Sequence, residues 1–468
     1  RERERQRERE ISCRRRRQAT ASDTHRRSRE YEPDGLHRSS IHRREMRTYE
    51  LIKDKDDLEA GVKYNRRASR KDEAFAGQKQ GQRLVSLDVF RGLTVALMIF
   101  VDDAGALFPS INHSPWDGVA LADFVMPFFL FIVGVALAIT HKGVTNKVVA
   151  TRKSVFRALK LFVVGLLIQG GFLHGLHNLT YGVDLLGIRW MGVLQRIAIA
   201  YLLAAICEIW LKTDDNVDNG YSLIRRYRLQ LLMALILTTI YMLLLYGLYV
   251  PDWEYQIAVG DSMSKSLSVR CGVRGDTGPA CNAVGMIDRR IFGIQHLHRR
   301  PVYERTKQCS INSPDSGPPP PDAPSWCRAP FDPEGLLSSV MATVTCLIGL
   351  QFGHVIIHFK VHKDRVIQWM VPSFCLLALA FSLDLFGMHM NKPLYTVSYT
   401  CVTAGAAGVL FTAVYLLVDV YGYRRPVLAM EWLGMHALMV YLLIGCNILP
   451  VFIQGFYWRE PQNNLVSK

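Results

Sequence analysis

From about residue 84 onward the chain alternates long apolar runs with short polar connections. The clearest run, Leu231–Val250, reads LLMALILTTIYMLLLYGLYV and carries no charge. Twenty residues at about 1.5 Å rise cross a bilayer core of about 30 Å as a helix. Similar runs predict nine spans, at about 87–108, 120–140, 155–172, 191–211, 229–250, 336–359, 366–388, 394–420 and 427–451. The first is the least apolar: only Gly92–Val101 lacks charge between Arg91 and Asp102. Its place is therefore inside a bundle, where its polar ends find partners.

Charge in the connections predicts sidedness. The connection after the second span holds Lys142, Lys147, Arg152 and Lys153. Those after the fourth, sixth and eighth hold Lys212, Arg225, Arg226 and Arg228, then Lys360, Lys363 and Arg365, then Arg424 and Arg425. The alternate short connections are nearly bare, with Arg189 in one and Lys392 in another. The N-terminus is therefore expected in the cytosol. The long connection, 251–335, falls on the lumenal side. The fold class expected is all-α: a polytopic transmembrane helix bundle with one long lumenal loop. Its divisions are a cytosolic tail (1–82), helices 1–5 (83–250), the loop (251–335), helices 6–9 (336–456) and a lumenal stub (457–468).

The loop is rich in Gly and Pro and holds Cys271, Cys281, Cys309 and Cys327. In a lumenal compartment four cysteines read as disulfides, with three full pairings open. A zinc site is the rival, but no paired CxxC supports it. The bridges are expected to brace a segment too rich in Pro to build its own core. The tail is unusual in another way. Residues 1–45 hold fifteen Arg, no Lys and no Met, and open RERERQRERE. An alternating AG dinucleotide repeat, read in frame, encodes Arg-Glu-Arg-Glu, so these residues are expected to be translated upstream sequence, with Met46 as the start of the mature protein. A disordered basic tail is the rival reading. Fifteen Arg against nine Asp and Glu supply +6 of the net +15, which weakens any argument for a nucleic-acid partner.

The candidate chemistry sits in NHSPWDG, residues 112–118, between the first two spans. Asp102 and Asp103 precede His113, and Asp123 follows it a few residues into the second span. An ionised carboxylate there is costly unless paired or facing a wet cavity. The short connection lets the carboxylates converge on His113. A carboxylate beside a histidine fixes its tautomer and is expected to make it more basic. Such a pair takes a proton from an amine or alcohol, or carries an acyl group. Trp116 is either a pocket floor for a sugar ring or an interfacial anchor. RWMGVLQRIAIAY places Arg196 inside the fourth span, and FDPEGLL places Asp332 and Glu334 at the lumenal start of the sixth. Arg196, Asp332 and Glu334 are pocket candidates, against the alternative of structural ion pairs or helix caps. No P-loop, GxSxG, HExxH or dinucleotide fingerprint occurs, and no metal site is expected.

SLDVFRGLTVALMIFVDDAG, HSPWDGVALADFVMPFFLFIVG, RWMGVLQRIAIAY, CNAVGMIDRRIFG and FDPEGLLSS, in that order, resemble the heparan-α-glucosaminide N-acetyltransferase family of multi-spanning lysosomal enzymes. The resemblance runs from about Leu84 to Trp458, and the cysteine-containing loop is most similar to members from land plants. It implies transfer of an acetyl group from cytosolic acetyl-CoA to a glucosaminide on the lumenal side, with lysosomal or vacuolar placement. The family's essential His falls on His113, its second-span Asp on Asp123, and its pocket Asn on Asp102. The last is a departure that adds a negative charge. The resemblance also implies one further span beyond the point where this chain stops.

The expectation is thus a membrane acyltransferase. Its catalytic group would be His113, Asp123 and Asp102; its co-substrate acetyl-CoA; and its partners the bilayer and an amino-sugar acceptor. Basic cytosolic residues such as Arg152 and Lys153 are candidates to hold the CoA phosphates. Homo-oligomerisation stays open. The rival classes are a transporter, with His113, Asp123 and Arg196 along a solute or proton path, and an inactive membrane homologue.

Overall fold

The computed structural model describes residues 84–105, 108, 111–169, 188–212, 217, 219–259, 263–298 and 300–445. The Arg-rich tail with Met46, the connection 170–187 and the C-terminal stub lie outside the described residues.

The helices, in chain order, are α1 (Val85–Ala104), α2 (Val125–Thr140, led in by a 3-10 turn at Leu121–Phe124), α3 (Lys147–Gln169), α4 (Val193–Trp210), α5 (Gly220–Arg226) and α6 (Arg228–Gly247). A hairpin of β1 (Trp253–Val259) and β2 (Met263–Val269) and a helix α7 (Ala283–Phe292) follow. Then come α8 (Leu336–His358), α9 (His362–Leu385), α10 (Val397–Tyr415, continued by a π turn to Val420), α11 (Leu428–Met435) and α12 (Ala437–Gly445). The chain is a mostly helical bundle.

Six described segments are long and apolar enough to cross a membrane: 121–140, 193–210, 228–247, 336–358, 362–385 and 397–420. The expected ninth span is a broken one, α11 and α12, bent by 72°. The expected first and third spans are helices, α1 and α3, but neither is in that apolar set. For α3 the cause is legible. It starts at Lys147, earlier than expected, and its first fourteen residues carry Lys147, Arg152, Lys153, Arg157 and Lys160.

Small residues let the central helices approach closely, the usual device where water exclusion cannot drive packing. A Cβ at Gly134 of α2 would lie 2.0 Å from the Cys346 carbonyl oxygen of α8, and one at Gly349 of α8 would lie 2.1 Å from that of Phe131. The same device joins α1 to α11, where a Cβ at Gly92 would lie 1.7 Å from the Met430 oxygen. By contrast, the most apolar windows of α6 and α9 are only 17% buried. Their outer faces carry Leu235, Leu243, Phe374 and Phe381, all exposed, as lipid-facing surfaces do.

The 251–335 segment corrects one expectation. It builds a small core, with Tyr255, Val269, Cys271, Ala280 and Ala329 buried together with Val250 just before it. The four cysteines pair as Cys271–Cys281 and Cys309–Cys327. Arg289 lies over the Trp253 ring at 3.8 Å. Asp288 of α7 accepts the Leu336 N–H at 2.8 Å, capping α8 from outside its own helix.

Candidate active site

The 112–118 turn is docked on the connection between α9 and α10. Gly118, with φ of 96°, turns the chain so that its N–H donates to the Met390 carbonyl at 2.8 Å. The next positions form a bridge between Asp117 and Asn391, reinforced by the Asn391 side-chain amide donating to Asp117 at 3.3 Å. Asn391 also accepts the Leu394 N–H at 2.8 Å. Tyr395 closes this second turn at φ of 58°, where a tyrosine costs on the order of 1 kcal/mol. Burial of its ring and a 3.0 Å hydrogen bond to Thr345 hold it there. The two turns together bring Lys392 to His113.

Asp123 is fully buried. One carboxylate oxygen, Oδ2, accepts the N–H groups of Ala120 at 2.9 Å and Ser114 at 3.1 Å. The other, Oδ1, lies 2.8 Å from His113 Nδ1 and 3.3 Å from Lys392 Nζ. Its main-chain oxygen accepts the Tyr399 hydroxyl at 2.5 Å. So many donors on one buried carboxylate suit the ionised form. The His113 side chain remains 38% exposed, so its ring is open on one side. Asn112 fixes the turn by accepting the His113 N–H at 2.7 Å, and Arg305 donates to the same amide oxygen at 3.3 Å.

A second group adjoins the first. Arg189 forks onto Asp332, with contacts of 2.8 and 2.6 Å, and also bonds Glu334. Arg196 of α4 reaches α8, donating to the Pro333 carbonyl at 2.5 Å and to Ser338 at 2.6 Å. Its guanidinium lies 5.3 Å from the centre of the Tyr395 ring, which links it back to the Lys392 turn. The N-terminal ends of α2, α4, α8 and α10 therefore gather around these residues, and each presents the positive end of its dipole.

The electrostatics corrects the expectation of a more basic histidine. Burial, and then the charge of Lys392, lower His113 from its ordinary value, with Arg305 adding to the effect; the bond to Asp123 and its charge only partly oppose them. Burial also lowers the Lys392 amine, against the pull of Asp123 and Glu334. At Glu334 burial acts upward, but Arg189, Arg196 and Lys392 outweigh it and hold the carboxyl at about 2.

The structure thus brings His113 and Asp123 into contact, with Arg196, Asp332 and Glu334 in the adjoining group. Asp102 sits in the last turn of α1, exposed. Gly105, just beyond it, lies against Asn112, where an added Cβ would be 3.6 Å from the side-chain amide carbon. Trp116 is turned away from solvent, 6% exposed. Its ring packs edge-on to Tyr303 and Phe331, and its N–H donates to Thr277 at 3.1 Å. It pins the turn to the 251–335 segment. Lys392 and Arg189 are the residues that sequence reasoning missed. Their signal was present: each is a lone basic residue in a short connection otherwise bare of them.

Comparison with known proteins bears on this site. Residues 83–249 match the family model described as heparan-alpha-glucosaminide N-acetyltransferase, catalytic. The enzyme named heparan-alpha-glucosaminide N-acetyltransferase from Mus musculus is 26% identical over 406 residues, and its Homo sapiens counterpart is 24% identical over 406 residues. The 83–249 segment is thus similar to the catalytic part of that family, and most of the chain aligns with its members. The alignments cover 82% and 81% of this chain but 56% and 55% of those relatives, so the chain spans just over half their length. The matched family segment contains His113, Asp123, Arg189 and Arg196; Asp332, Glu334 and Lys392 are supplied from beyond it.

Proposed function

We propose that the protein is an integral membrane acyltransferase that passes an acetyl group from cytosolic acetyl-CoA to an amino-sugar acceptor of the glucosaminide class on the lumenal side. The observation that carries this reading is the His113–Asp123 pair: a buried, fully bonded carboxylate 2.8 Å from an imidazole whose other edge is open. The likeness of residues 83–249 to the catalytic family model supports the reaction class. The basic connections after the second, fourth, sixth and eighth expected spans support a cytosolic N-terminus and a lumenal His113. A lysosomal or vacuolar membrane fits that arrangement.

Two balanced routes use the same atom. In the first, the acceptor nitrogen attacks the thioester carbonyl as its proton passes to His113 Nε2; the C–S bond breaks, and the imidazolium returns that proton to the departing thiolate. In the second, Nε2 attacks the thioester carbonyl first, the C–S bond breaks and the thiolate leaves; the amine then attacks the acetyl carbon, the Nε2–C bond breaks, and the amine proton passes to the freed Nε2. Both require a lone pair on Nε2, which a proton on Nδ1 donated to Asp123 provides. Lys392 and the converging helix N-termini supply positive potential for the oxyanion that develops on the carbonyl. Asp102, at the α1 end, is proposed to line the acceptor's approach, where a carboxylate attracts an amino group. Arg196, Asp332 and Glu334 are proposed to shape the pocket wall through the Arg189 fork.

The test is incubation of purified protein with labelled acetyl-CoA and glucosamine. Label in N-acetylglucosamine is the expected result. No product, together with solute flux through reconstituted vesicles, would favour a transporter instead.

A further inference from the structure

We propose that Lys392 is a positioning residue of this site: its ammonium, set beside the contact between His113 Nδ1 and Asp123 Oδ1, disfavours a second proton on the resting ring and so keeps Nε2 as a working lone pair, a proton being taken up there only in passing during transfer. This rests on the acyltransferase reading of the site and assigns a role to a residue outside the matched family segment.

The geometry poses a choice. Lys392 Nζ lies 2.8 Å from His113 Nδ1, 3.4 Å from Nε2 and 3.3 Å from Asp123 Oδ1. Nδ1 has one in-plane position, which holds either a proton or a lone pair. With a lone pair, Nδ1 accepts from the ammonium, and Nε2 carries the ring proton and cannot attack. With a proton, Nδ1 donates to Asp123 Oδ1 at 2.8 Å, the ammonium shares the same carboxylate, and Nε2 keeps its lone pair, with the ammonium 3.4 Å away. An ionised carboxylate is the stronger acceptor, so the second arrangement prevails. A doubly protonated ring would place an imidazolium against an ammonium at contact distance, which like charges oppose.

The surroundings define the charge balance. His113 faces Asp123, Lys392 and Arg305; Lys392 faces Asp123, Glu334 and Arg196. Lys392 is thus a cation bonded to one carboxylate, Asp123, and facing a second, Glu334, and its field falls on the imidazole. A base in this position stays unprotonated in acid, as a lumenal site requires. As pH rises through the pKa of His113, Nε2 becomes available and the rate climbs. Removing Lys392 leaves Asp123 less opposed and moves that limb to higher pH.

The measurement is the pH dependence of diethyl pyrocarbonate labelling at His113, read by peptide mass spectrometry, alongside the acid limb of kcat/KM. Labelling needs a neutral imidazole but no acetyl transfer, so it reports on Lys392 even if the acyltransferase reading fails. In the unsubstituted protein the labelling midpoint is expected below the ordinary value of 6.5. Lys392→Met is expected to raise both midpoints by about one pH unit, whereas Lys392→Arg, which keeps the charge, should stay within about 0.3 unit. A merely structural lysine would lower the rate without moving the limb. Lys392→Met with an unshifted midpoint would overturn the proposal. Should Lys392→Met fail to fold, a midpoint in the unsubstituted protein at or above the ordinary imidazole value would overturn it equally.

Discussion

Among the described residues, two histidine–carboxylate pairs share the same 2.8 Å length, one at each end of the bundle. His113 lies 2.8 Å from Asp123, and His354 lies 2.8 Å from Glu208. Both carboxylates are buried. The difference is in the imidazoles. His354 is fully buried, with Glu208 on Nε2 and Gln351 on Nδ1 at 3.4 Å. The Tyr227 ring lies flat on it at 3.5 Å, within 5° of parallel. Lys212 at 2.8 Å and Gln230 at 2.9 Å complete the partners of Glu208. Both nitrogens of His354 are therefore bonded and one face of its ring is covered. His113 instead keeps one edge open and has a lysine beside it. A histidine–carboxylate distance therefore does not mark a reactive site. What marks it is an exposed nitrogen on a ring whose other nitrogen is held.

Substitutions can break this comparison. Asp123→Asn should leave the ring in place but poorly oriented, and lower acetyl transfer by about two orders of magnitude at normal protein yield. Steady-state rates on purified protein check this. The matching change at the other end acts on stability. His354→Ala strips one partner from a buried carboxylate and should cost about 3–5 kcal/mol. It should appear as a lower thermal unfolding midpoint, with turnover per folded molecule kept within about twofold.

A third buried acid, Asp288, sharpens the contrast because its environment leaves it near neutrality. Burial pushes its carboxyl up to about 7, only partly offset by the Leu336 N–H it accepts. The sign follows from linkage. The folded state binds the proton more tightly than an unfolded aspartate with its ordinary value near 4. Stability from this group is therefore full below about 4 and is lost as pH rises through about 7. Asp288→Asn should raise the unfolding midpoint at pH 8 by a few degrees and have little effect at pH 4. Thermal scans at the two pH values check it. The smallest expected effect on activity comes from the Cys271–Cys281 bridge, which braces the 251–335 segment away from His113. Cys271→Ser with Cys281→Ser should cost about 2–3 kcal/mol of stability and less than about threefold in rate. Alkylation of these two positions only after reductant is added would verify the bridge.

Much of this arrangement was legible in the chain. Uncharged runs of twenty residues admit few structures other than buried or membrane helices. The NHSPWDG turn advertised His113 because three acids flank it in an apolar stretch. Sequence distance hid the rest. Lys392 is 279 residues from His113 along the chain, and only the docking of Asp117 on Asn391 brings it near. Arg189 met Asp332 across 143 positions in the same way. The basicity of His113 was misjudged for that reason: with Lys392 and Arg305 unplaced, only acids were in view. Trp116 was ambiguous because the rings that enclose it, Tyr303 and Phe331, belong to a segment whose Pro-rich wording did not suggest a core.

The central claim is that chemistry belongs to the open histidine and not to the closed one. Its most direct test is acetyl transfer in sealed vesicles with matched amounts of folded His113→Ala and His354→Ala protein, acetyl-CoA outside on the N-terminal face and glucosamine inside. The account predicts that His113→Ala loses about two to four orders of magnitude while His354→Ala stays within about twofold per folded molecule. Near-normal product inside the vesicles from His113→Ala would contradict it.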